Sequence, residues 1–446
     1  MSDDTQFPQR LRREFADWRL WAARGVVIAM AAGTGLAIVG FTWLTEKALA
    51  LFFSMSAAAW WLPLVWTPLC AAVVVWLVRR SFVGAGGSGI PQVIAALDPA
   101  VDATSRGLFV SIRLACAKAV LTAIGLLGGL SIGREGPSVQ IAAGVMLGAK
   151  RWLPRRSAAS EHGLLVAGGA AGVAATFNTP LAGVMFAIES LSRAPEHRNS
   201  GLIIAAIVLA GLVAVSAHGP GNYFGAIHVP GIGLDAVLPG LAIAVCCGVA
   251  GGLLSRLLIQ SLAGPSRGRL AAFRARRPVA FAAACGFAVA VVGVATHGAT
   301  FGSGYGHTQG LLDGQQTTPP GVFVFFKLLA TWLSAWSGVS GGVFAPALAI
   351  GASLGHDIGA LMNYPHAPAM IALGMAGFLA AATQTPLTSF IIVMEMVDGH
   401  AMVLSLMACA LIASAISRTL GRPLYLALAD AQLARLPAKA PPSGGA

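Results

Sequence analysis

The chain has 446 residues, of which 56% are hydrophobic and only 10% are charged, and its mean hydropathy is +0.76. Soluble domains carry about 25% charged residues, so this composition excludes an ordinary soluble protein. The net charge of +12 could indicate nucleic-acid binding, but the basic residues form short clusters between long apolar tracts. That pattern is typical of the cytoplasmic loops of a membrane protein, so we expect no nucleic acid partner.

The order of polar and apolar segments predicts a polytopic membrane protein. Residues 1–24 should form a cytoplasmic N-terminal segment, residues 25–436 the transmembrane domain, and residues 437–446 a short cytoplasmic tail. The first apolar tracts, at about residues 26–45 and 57–77, have the roughly 20 residues that cross a bilayer.

The distribution of basic residues predicts the orientation in the membrane. No Lys or Arg occurs between Arg198 and Arg256, or between Arg277 and Lys327. Because cytoplasmic loops carry the excess of Lys and Arg, these stretches should lie outside the cell. We therefore expect a multi-pass protein of the cell inner membrane with both termini in the cytoplasm.

The stretch Gly133-Arg134-Glu135-Gly136-Pro137 interrupts a long apolar run with two charges, two glycines and a proline. Pro137 is well placed near the start of a helix, because the N–H that it lacks would have no intrahelical acceptor there. A helix N-terminus with free N–H groups attracts anions. Glu135 thus occupies a position where another anion would also bind, and we predict that the two compete.

Two parts of the sequence repeat one another. Thr179-Pro180-Leu181 and Glu189 recur 206 positions later, and Lys118, Gly133 and Pro137 recur 209 positions later. Gly87-Ser88-Gly89 recurs 215 positions later. Three blocks in one order indicate an internal duplication, with copies at about residues 25–215 and 236–425.

The two copies are predicted to be antiparallel. The first Gly-Ser-Gly block follows the cytoplasmic Arg79-Arg80, whereas the second, at residues 302–304, lies in a stretch without Lys or Arg. Transporters built from inverted repeats place their site at the bilayer midplane, where broken helices point their ends at the substrate. We therefore predict an all-α fold of two antiparallel halves with tilted and broken helices. The breaks at residues 133–137 and 341–346 should direct two helix N-termini at an anion.

At this point the sequence resembles a known family, the CLC chloride channels and proton/chloride antiporters. The matching motifs are Gly87-Ser88-Gly89-Ile90-Pro91, Gly133-Arg134-Glu135-Gly136-Pro137, Gly342-Val343-Phe344-Ala345-Pro346 and the tyrosine of Arg422-Pro423-Leu424-Tyr425. Four motifs in this order on a duplicated membrane chain are highly specific. Since only 21 residues follow Tyr425 in this sequence, we do not expect the pair of cytoplasmic CBS domains that many relatives carry.

The resemblance implies a homodimer with one anion pathway in each subunit. By resemblance, the hydroxyls of Ser88 and Tyr425 and the backbone N–H groups of Val343 and Phe344 hold a central chloride ion. No cofactor is expected beyond bound chloride.

The resemblance also implies an outer anion site and a gate. Backbone N–H groups around Arg134 and Gly136 would serve the outer site. Glu135 would be the gate, because an ionised carboxylate can occupy an anion site and leave it when protonated. A partly dehydrated pore raises the proton affinity of such a carboxylate.

One position departs from the antiporter pattern. Well-known antiporters of the family carry a second acid directly after the glutamate that matches Glu189, but here that position is Ser190. A serine does not exchange a proton near neutral pH. Glu189, Glu161, His162 or water could replace the missing acid, so Glu189 and Ser190 mark a possible proton pathway.

Each of these assignments has a simpler alternative. Ser88 could only cap the helix that opens at Pro91, and Tyr425 could be an interfacial tyrosine. Glu135 could form a structural ion pair with Arg134.

Other polar residues favour structural roles. Glu189 and Glu395 occupy equivalent repeat positions, which favours a role in holding backbone or helix ends, and Lys118 and Lys327 are paired in the same way. Four histidines in predicted external loops lack metal-ligand spacing and are expected to be solvated: His218, His228, His297 and His307. The six cysteines show no CxxC spacing, so no metal site is expected.

These observations favour chloride-selective transport, coupled to protons and gated by Glu135. A passive channel gated by voltage or pH is the alternative, because of Ser190. A carrier for another solute is less favoured, since a cation or neutral substrate would need acidic or carbonyl ligands. The chain has no HExxH motif and no intramembrane aspartate pair, so we expect no enzyme activity.

Overall fold

The computed structural model describes residues 18–153, 160–192, 200–219, 224, 233–264, 268–315 and 319–436. Within these ranges the chain is helical, and its only β-type pairings are two isolated bridges. This confirms the predicted all-α class. The predicted cytoplasmic tail at 437–446 and residues 1–17 of the predicted N-terminal segment lie outside the described residues.

Helices of very different lengths make up both halves. Those of the first half are α1 (Trp18–Ala58), α2 (Pro63–Ser81), α3 (Ile90–Ala96), α4 (Ala103–Arg106), α5 (Ile112–Leu127), α6 (Glu135–Leu147), α7 (Glu161–Phe177), α8 (Pro180–Phe186) and α9 (Ser200–His218). Those of the second half are α10 (Val237–Leu262), α11 (Arg269–Arg276), α12 (Pro278–Ala295), α13 (Tyr305–Leu312), α14 (Val322–Ser337), α15 (Phe344–Leu361), α16 (Ala367–Thr383), α17 (Pro386–Met396), α18 (Val403–Leu420) and α19 (Leu424–Leu433).

Six of the described helices are long and apolar enough to cross a bilayer: α1, α2, α10, α12, α15 and α18. With 41 residues, α1 is about 60 Å long at the usual rise per residue, about twice the hydrocarbon thickness. The predicted first span, residues 26–45, was therefore too short. The helix continues to Ala58 because residues 46–58 contain no glycine or proline.

The predicted chain breaks occur where glycine, asparagine and proline lie in apolar runs. Asn178 follows α7 in the left-handed conformation, at φ 60°, and Gln384 follows α16 in the same conformation, at φ 59°. The two residues are 206 positions apart. Pro180 and Pro386 then open the next helices at their first turns. The duplication inferred from sequence is thus repeated in the backbone conformation.

Two buried lysines show the same duplication. Lys118 Nζ donates hydrogen bonds to the carbonyl oxygens of Ala85 (3.0 Å) and Gly87 (2.6 Å). Lys327 Nζ donates to the carbonyl oxygens of Thr300 (2.9 Å) and Gly302 (2.8 Å). Both side chains are fully buried, and each one holds the Gly-Ser-Gly loop of its own half. The structure supports the predicted structural role.

The glutamates of the repeat contact the opposite half. Glu189 accepts hydrogen bonds from the N–H groups of Leu387 (3.1 Å) and Thr388 (2.7 Å), at the start of α17. Glu395, on α17 itself, accepts hydrogen bonds from two N–H groups at the start of α8. These two bonds come from Leu181 (3.2 Å) and Ala182 (2.8 Å). Each carboxylate therefore caps a helix that belongs to the other half, where the first N–H groups have no intrahelical acceptor. This supports the role favoured from sequence and joins the two antiparallel halves.

We predict that Glu395→Ala destabilises the protein, because it leaves the first N–H groups of α8 without a charged acceptor. The free energy of unfolding should fall by about 2 kcal/mol, the usual contribution of hydrogen bonds to a charged group. A lower midpoint of thermal unfolding in detergent, followed by tryptophan fluorescence, would show this. Asp313→Ala removes an exposed carboxylate that follows α13 and should leave the midpoint unchanged. Equal midpoints for both variants would contradict the capping role.

Candidate anion and proton site

The two predicted helix breaks meet in the structure. The N–H of Gly133 donates to the carbonyl oxygen of Gly342 (2.7 Å), and the N–H of Gly342 donates to the carbonyl oxygen of Gly133 (2.8 Å). The two segments run antiparallel at this point. A Cβ atom on Gly342 would lie only 3.0 Å from the backbone nitrogen of Gly136, tighter than ordinary packing, so the close approach favours glycine. The starts of α6 and α15 are thereby placed side by side.

A third segment joins the pair of breaks. The N–H of Gly87 donates to the carbonyl oxygen of Val339, and the N–H of Gly341 donates to the carbonyl oxygen of Gly87, both at 3.0 Å. The loop before α3 is therefore tied to the segment between α14 and α15. Because Gly87 precedes Ser88, this pairing also fixes the position of the serine.

Glu135 lies at the junction of the two halves. It is the first residue of α6 and is 1% exposed. Its Oε2 atom accepts a hydrogen bond from the N–H of Ala345 (3.3 Å), in the first turn of α15. Its Oε1 atom is buried and has no protein hydrogen-bond partner among the described residues. The carboxylate of one half thus lies at the positive N-terminus of a helix from the other half.

The Glu135 carboxylate itself leaves no room for a side chain at Gly133. A Cβ atom built on Gly133 would collide with Glu135 Oε2. Glycine at this position therefore makes the observed carboxylate position possible. Glycine at position 133 of this motif is therefore explained by steric space as well as by conformational freedom.

The hydroxyls of Ser88 and Tyr425 lie close to the same point. A Cβ atom on Gly136 would collide with Ser88 Oγ, so the serine lies directly against the first turn of α6. Tyr425, in the first turn of α19, is 4% exposed. Its hydroxyl lies near Ser88 and Glu135, and its ring stacks on that of Phe344 at 5.9 Å.

Neither hydroxyl has a protein hydrogen-bond partner of ordinary geometry among the described residues, although both are buried. Buried polar groups are nearly always hydrogen-bonded. Two unpaired hydroxyls beside an unpaired carboxylate oxygen therefore indicate a position where a ligand completes the hydrogen bonding. Val343, which precedes α15, and Phe344, its first residue, are both buried there. N–H groups at such positions have no intrahelical acceptor.

The loop that carries Ser88 is held by side chains as well as by backbone. Lys118 binds the carbonyl oxygens of Ala85 and Gly87, as described above. Gln92 Oε1 accepts the N–H of Gly89 (3.0 Å), and Gln92 Nε2 donates to the carbonyl oxygen of Gly86 (2.5 Å). Gln92 was missed in the sequence analysis. Its position three residues after Gly89, at the start of α3, was a capping signal that could have identified it.

Arg134 forms an ion pair with a residue of α1. Its Nη1 atom forms an ion pair with Glu46 Oε1 on α1 (2.8 Å). This is a contact between the start of α6 and α1, and sequence analysis did not predict it. The alternative role of Arg134 as an ion-pair partner of Glu135 does not explain its ion pair with Glu46. The anion-binding role expected for Arg134 uses only its backbone N–H group, so it is compatible with this ion pair.

Ser190 and Glu189 lie in a π-helical turn, Ala187–Leu191, that continues α8. Single π-helical turns of this kind are frequent at functional sites. Ser190 Oγ is buried without a protein hydrogen-bond partner among the described residues, whereas both oxygens of Glu189 cap α17. The two neighbours therefore differ: Glu189 is fixed, and the Ser190 hydroxyl is unpaired.

The expectation of a solvated loop is wrong for His307. This residue lies in α13, where its ring stacks on Phe323 at 3.6 Å and its Nε2 atom is 2.9 Å from Ser353 Oγ. His228 and the side chain of His218 lie outside the described residues.

The chemistry of the central position follows from its donors. Helix N-termini from both halves and two hydroxyls converge there, and the one carboxylate is bound by a backbone N–H. Donors of this kind suit an anion, whereas a cation would need carbonyl or carboxylate ligands.

Comparison with known proteins agrees with this geometry. Residues 70–418 match the family model described as "Voltage gated chloride channel". The chain is 29% identical over 422 residues to the H(+)/Cl(-) exchange transporter ClcA of Citrobacter koseri, which covers 90% of this chain and 87% of the relative.

Solved structures give the same fold. A slow cyanobacterial Cl-/H+ antiporter aligns with a TM-score of 0.80 at 23% identity, covering 93% of this chain and 98% of its own. A CLC-type fluoride/proton antiporter aligns with a TM-score of 0.73 at 21% identity, covering 91% of this chain and 97% of its own. Because the family model matches most of the chain and the fold agrees, this protein belongs to the CLC family of voltage-gated chloride channels and related antiporters.

Proposed function

We propose that the protein exchanges chloride for protons across the membrane and that Glu135 gates this exchange. The observation that carries the proposal is the position of the Glu135 carboxylate. It lies buried at the N-terminus of α15, bonded to the N–H of Ala345, beside two hydroxyls that have no protein hydrogen-bond partner of ordinary geometry among the described residues. An anion and this carboxylate would use the same kind of donor. The relatives are named as transporters and antiporters, which supports the proposal and favours transport over enzyme activity.

The mechanism follows from charge. An ionised Glu135 carboxylate is stabilised by the N–H donors of the helix starts and excludes chloride from them. Protonation removes the charge, so the attraction to these donors weakens and the side chain can leave. Chloride then occupies the position, and loss of the proton restores the competition. Proton binding and chloride binding are thereby linked at one point.

Two anion positions fit the donors. In the central position, chloride would accept hydrogen bonds from the hydroxyls of Ser88 and Tyr425 and from the N–H groups of Val343 and Phe344. In the outer position, N–H groups around Arg134 and Gly136 would bind the anion where the carboxylate had been.

The proton route on the cytoplasmic side passes the π-helical turn in this proposal. The capping bonds of Glu189 hold its carboxylate in place, while the unpaired hydroxyl of Ser190 can order a water molecule. Water beside Ser190 would then carry the protons that the second acid at this position carries in other antiporters of the family.

We further propose a homodimer in the cell inner membrane, with both termini in the cytoplasm. α9 and α18 expose apolar side chains that no other described helix covers: Ile204, Val208, Leu212, Leu404, Leu411 and Ile412. A second subunit could bury these helices. The asymmetric distribution of Lys and Arg supports the orientation.

Glu135→Gln should abolish proton movement coupled to chloride, because the amide cannot release a proton. Chloride and proton fluxes in proteoliposomes would be recorded in parallel with selective electrodes. Asp313→Asn, which neutralises an outer carboxylate away from the site, should keep both fluxes. Proton flux that follows chloride in Glu135→Gln would contradict the assignment.

The same liposomes separate exchange from a passive channel. For an exchanger, the reversal potential shifts with the pH gradient. For a channel, it follows the chloride gradient alone. A reversal potential that ignores pH in the wild type would favour the channel alternative that Ser190 suggests.

Tyr425→Phe should weaken chloride binding about tenfold, because a hydrogen bond to a charged group contributes about 1.5–3 kcal/mol. Isothermal titration calorimetry with chloride in detergent would measure the change. Tyr364→Phe, in the loop that follows the opposite end of α15 from Phe344, is the matched control. Unchanged affinity in Tyr425→Phe would exclude its hydroxyl as a chloride ligand.

Ser190→Glu tests the proton route. If proton supply at this turn limits exchange, a carboxylate at position 190 should raise the exchange rate while Glu135 is intact. The double variant Ser190→Glu/Glu135→Gln should show no coupled proton flux. An unchanged rate in the single variant, with normal folding, would place the route elsewhere.

A further inference from the structure

Three arginines from separate segments of the chain lie near one another, close to the end of α10. Arg79 lies in the last turn of α2, Arg274 in α11, and Arg435 just after α19. Arg79 and Arg435 lie close enough to Arg274 for their charges to repel its charge. Within the described parts of the chain, none of the three forms an ion pair with a carboxylate.

The end of α10 fixes two of these side chains. Arg274 Nη1 donates to the carbonyl oxygen of Ser261 (2.8 Å), and Arg435 Nη2 donates to that of Leu262 (3.5 Å). Carbonyl groups at a helix C-terminus favour cations, so these bonds explain why the side chains lie there. They use only part of the five N–H donors that each guanidinium carries. A bound anion would accept hydrogen bonds from the unused N–H groups and would offset the repulsion among the three positive charges.

The surroundings are those of a membrane interface. Trp332 and Trp336 stack at 4.8 Å, and Phe281 contacts Trp336 edge-on at 4.8 Å. Phe273 of α11 continues this row at 5.9 Å from Phe281. Trp332 Nε1 donates to Ser261 Oγ (2.9 Å), so the aromatic row and the arginines share one residue. Tryptophan side chains are enriched at the headgroup level of membranes.

Helix α11 itself has the character of a helix that lies on a membrane surface. It has no buried residue. Leu270 is 60% exposed and Phe273 is 37% exposed, next to the exposed Arg269 and Arg276. Short helices with aromatic and leucine side chains on one face and basic ones on the other bind the lipid interface.

We propose that Arg79, Arg274 and Arg435 bind the phosphate group of an anionic phospholipid, with the lipid chains against Phe273 and Trp336. Arginine donors match phosphate oxygens in geometry and charge. Basic pockets between helices on the cytoplasmic side are known to suit such headgroups. This site is separate from the proposed transport site, so either proposal can fail without the other.

Native mass spectrometry of delipidated protein tests the proposal. Titration with phosphatidylglycerol should give saturable binding that phosphatidylcholine does not give. Arg274→Gln should weaken phosphatidylglycerol binding about fivefold, the usual effect of one basic residue near a membrane surface. Arg274→Lys should recover part of the affinity. Arg418→Gln, an exposed arginine at the end of α18, should bind like the wild type.

Several outcomes would overturn the assignment. One is equal retention of phosphatidylglycerol and phosphatidylcholine by the wild type, and another is unchanged phosphatidylglycerol binding in Arg274→Gln. Displacement of the lipid by equimolar inorganic phosphate would assign the arginines to a free anion instead. Should Arg274→Gln fail to fold, the exposed Arg79→Gln gives the same test without removing a bond to α10.

Discussion

The paired hydrogen bonds between Gly133 and Gly342 are the contact on which the rest of the site depends. They bring together two chain segments that are 209 positions apart and that start helices of opposite halves. A Cβ atom on Gly342 would crowd the backbone at the start of α6, and one on Gly133 would collide with the Glu135 carboxylate, so glycine at both positions suits this close approach. Because the two segments approach so closely, Glu135 of one half reaches an N–H group of the other, and the donors of both helices act on the same point. A single helix N-terminus at the protein surface would attract anions only weakly, since water competes there.

The anion donors are held by groups that do not themselves bind the anion. Lys118 and Gln92 fix the loop that carries Ser88, and Phe344 supports the ring of Tyr425. The side chains that make these supporting contacts are buried, so solvent weakens the contacts little. A hydroxyl whose backbone is fixed in this way loses little conformational freedom when an anion binds.

Local features of the sequence predicted most of the fold and the centre of the site. Pro137, Pro180 and their repeats mark helix starts because proline lacks an N–H, and the repeated order of motifs revealed the antiparallel halves. Features that depend on partners distant in the chain could not be predicted. The bond of Glu189 to α17 and the pairing of Arg134 with Glu46 require knowledge of which helices are neighbours. The extension of α1 to Ala58 was missed because the polar Glu46-Lys47 resembles the end of a span, although nothing there stops a helix.

The exchanged carboxylates, Glu189 and Glu395, bear on how the chain is made. While only the first half has left the ribosome, the opening turn of α8 has its amides exposed in a membrane that offers them no acceptor, because their acceptor is encoded some 200 codons downstream. Glu189 is likewise available before the backbone that it serves exists. The caps of α8 and α17 can therefore form only after residues of both halves are present in the membrane.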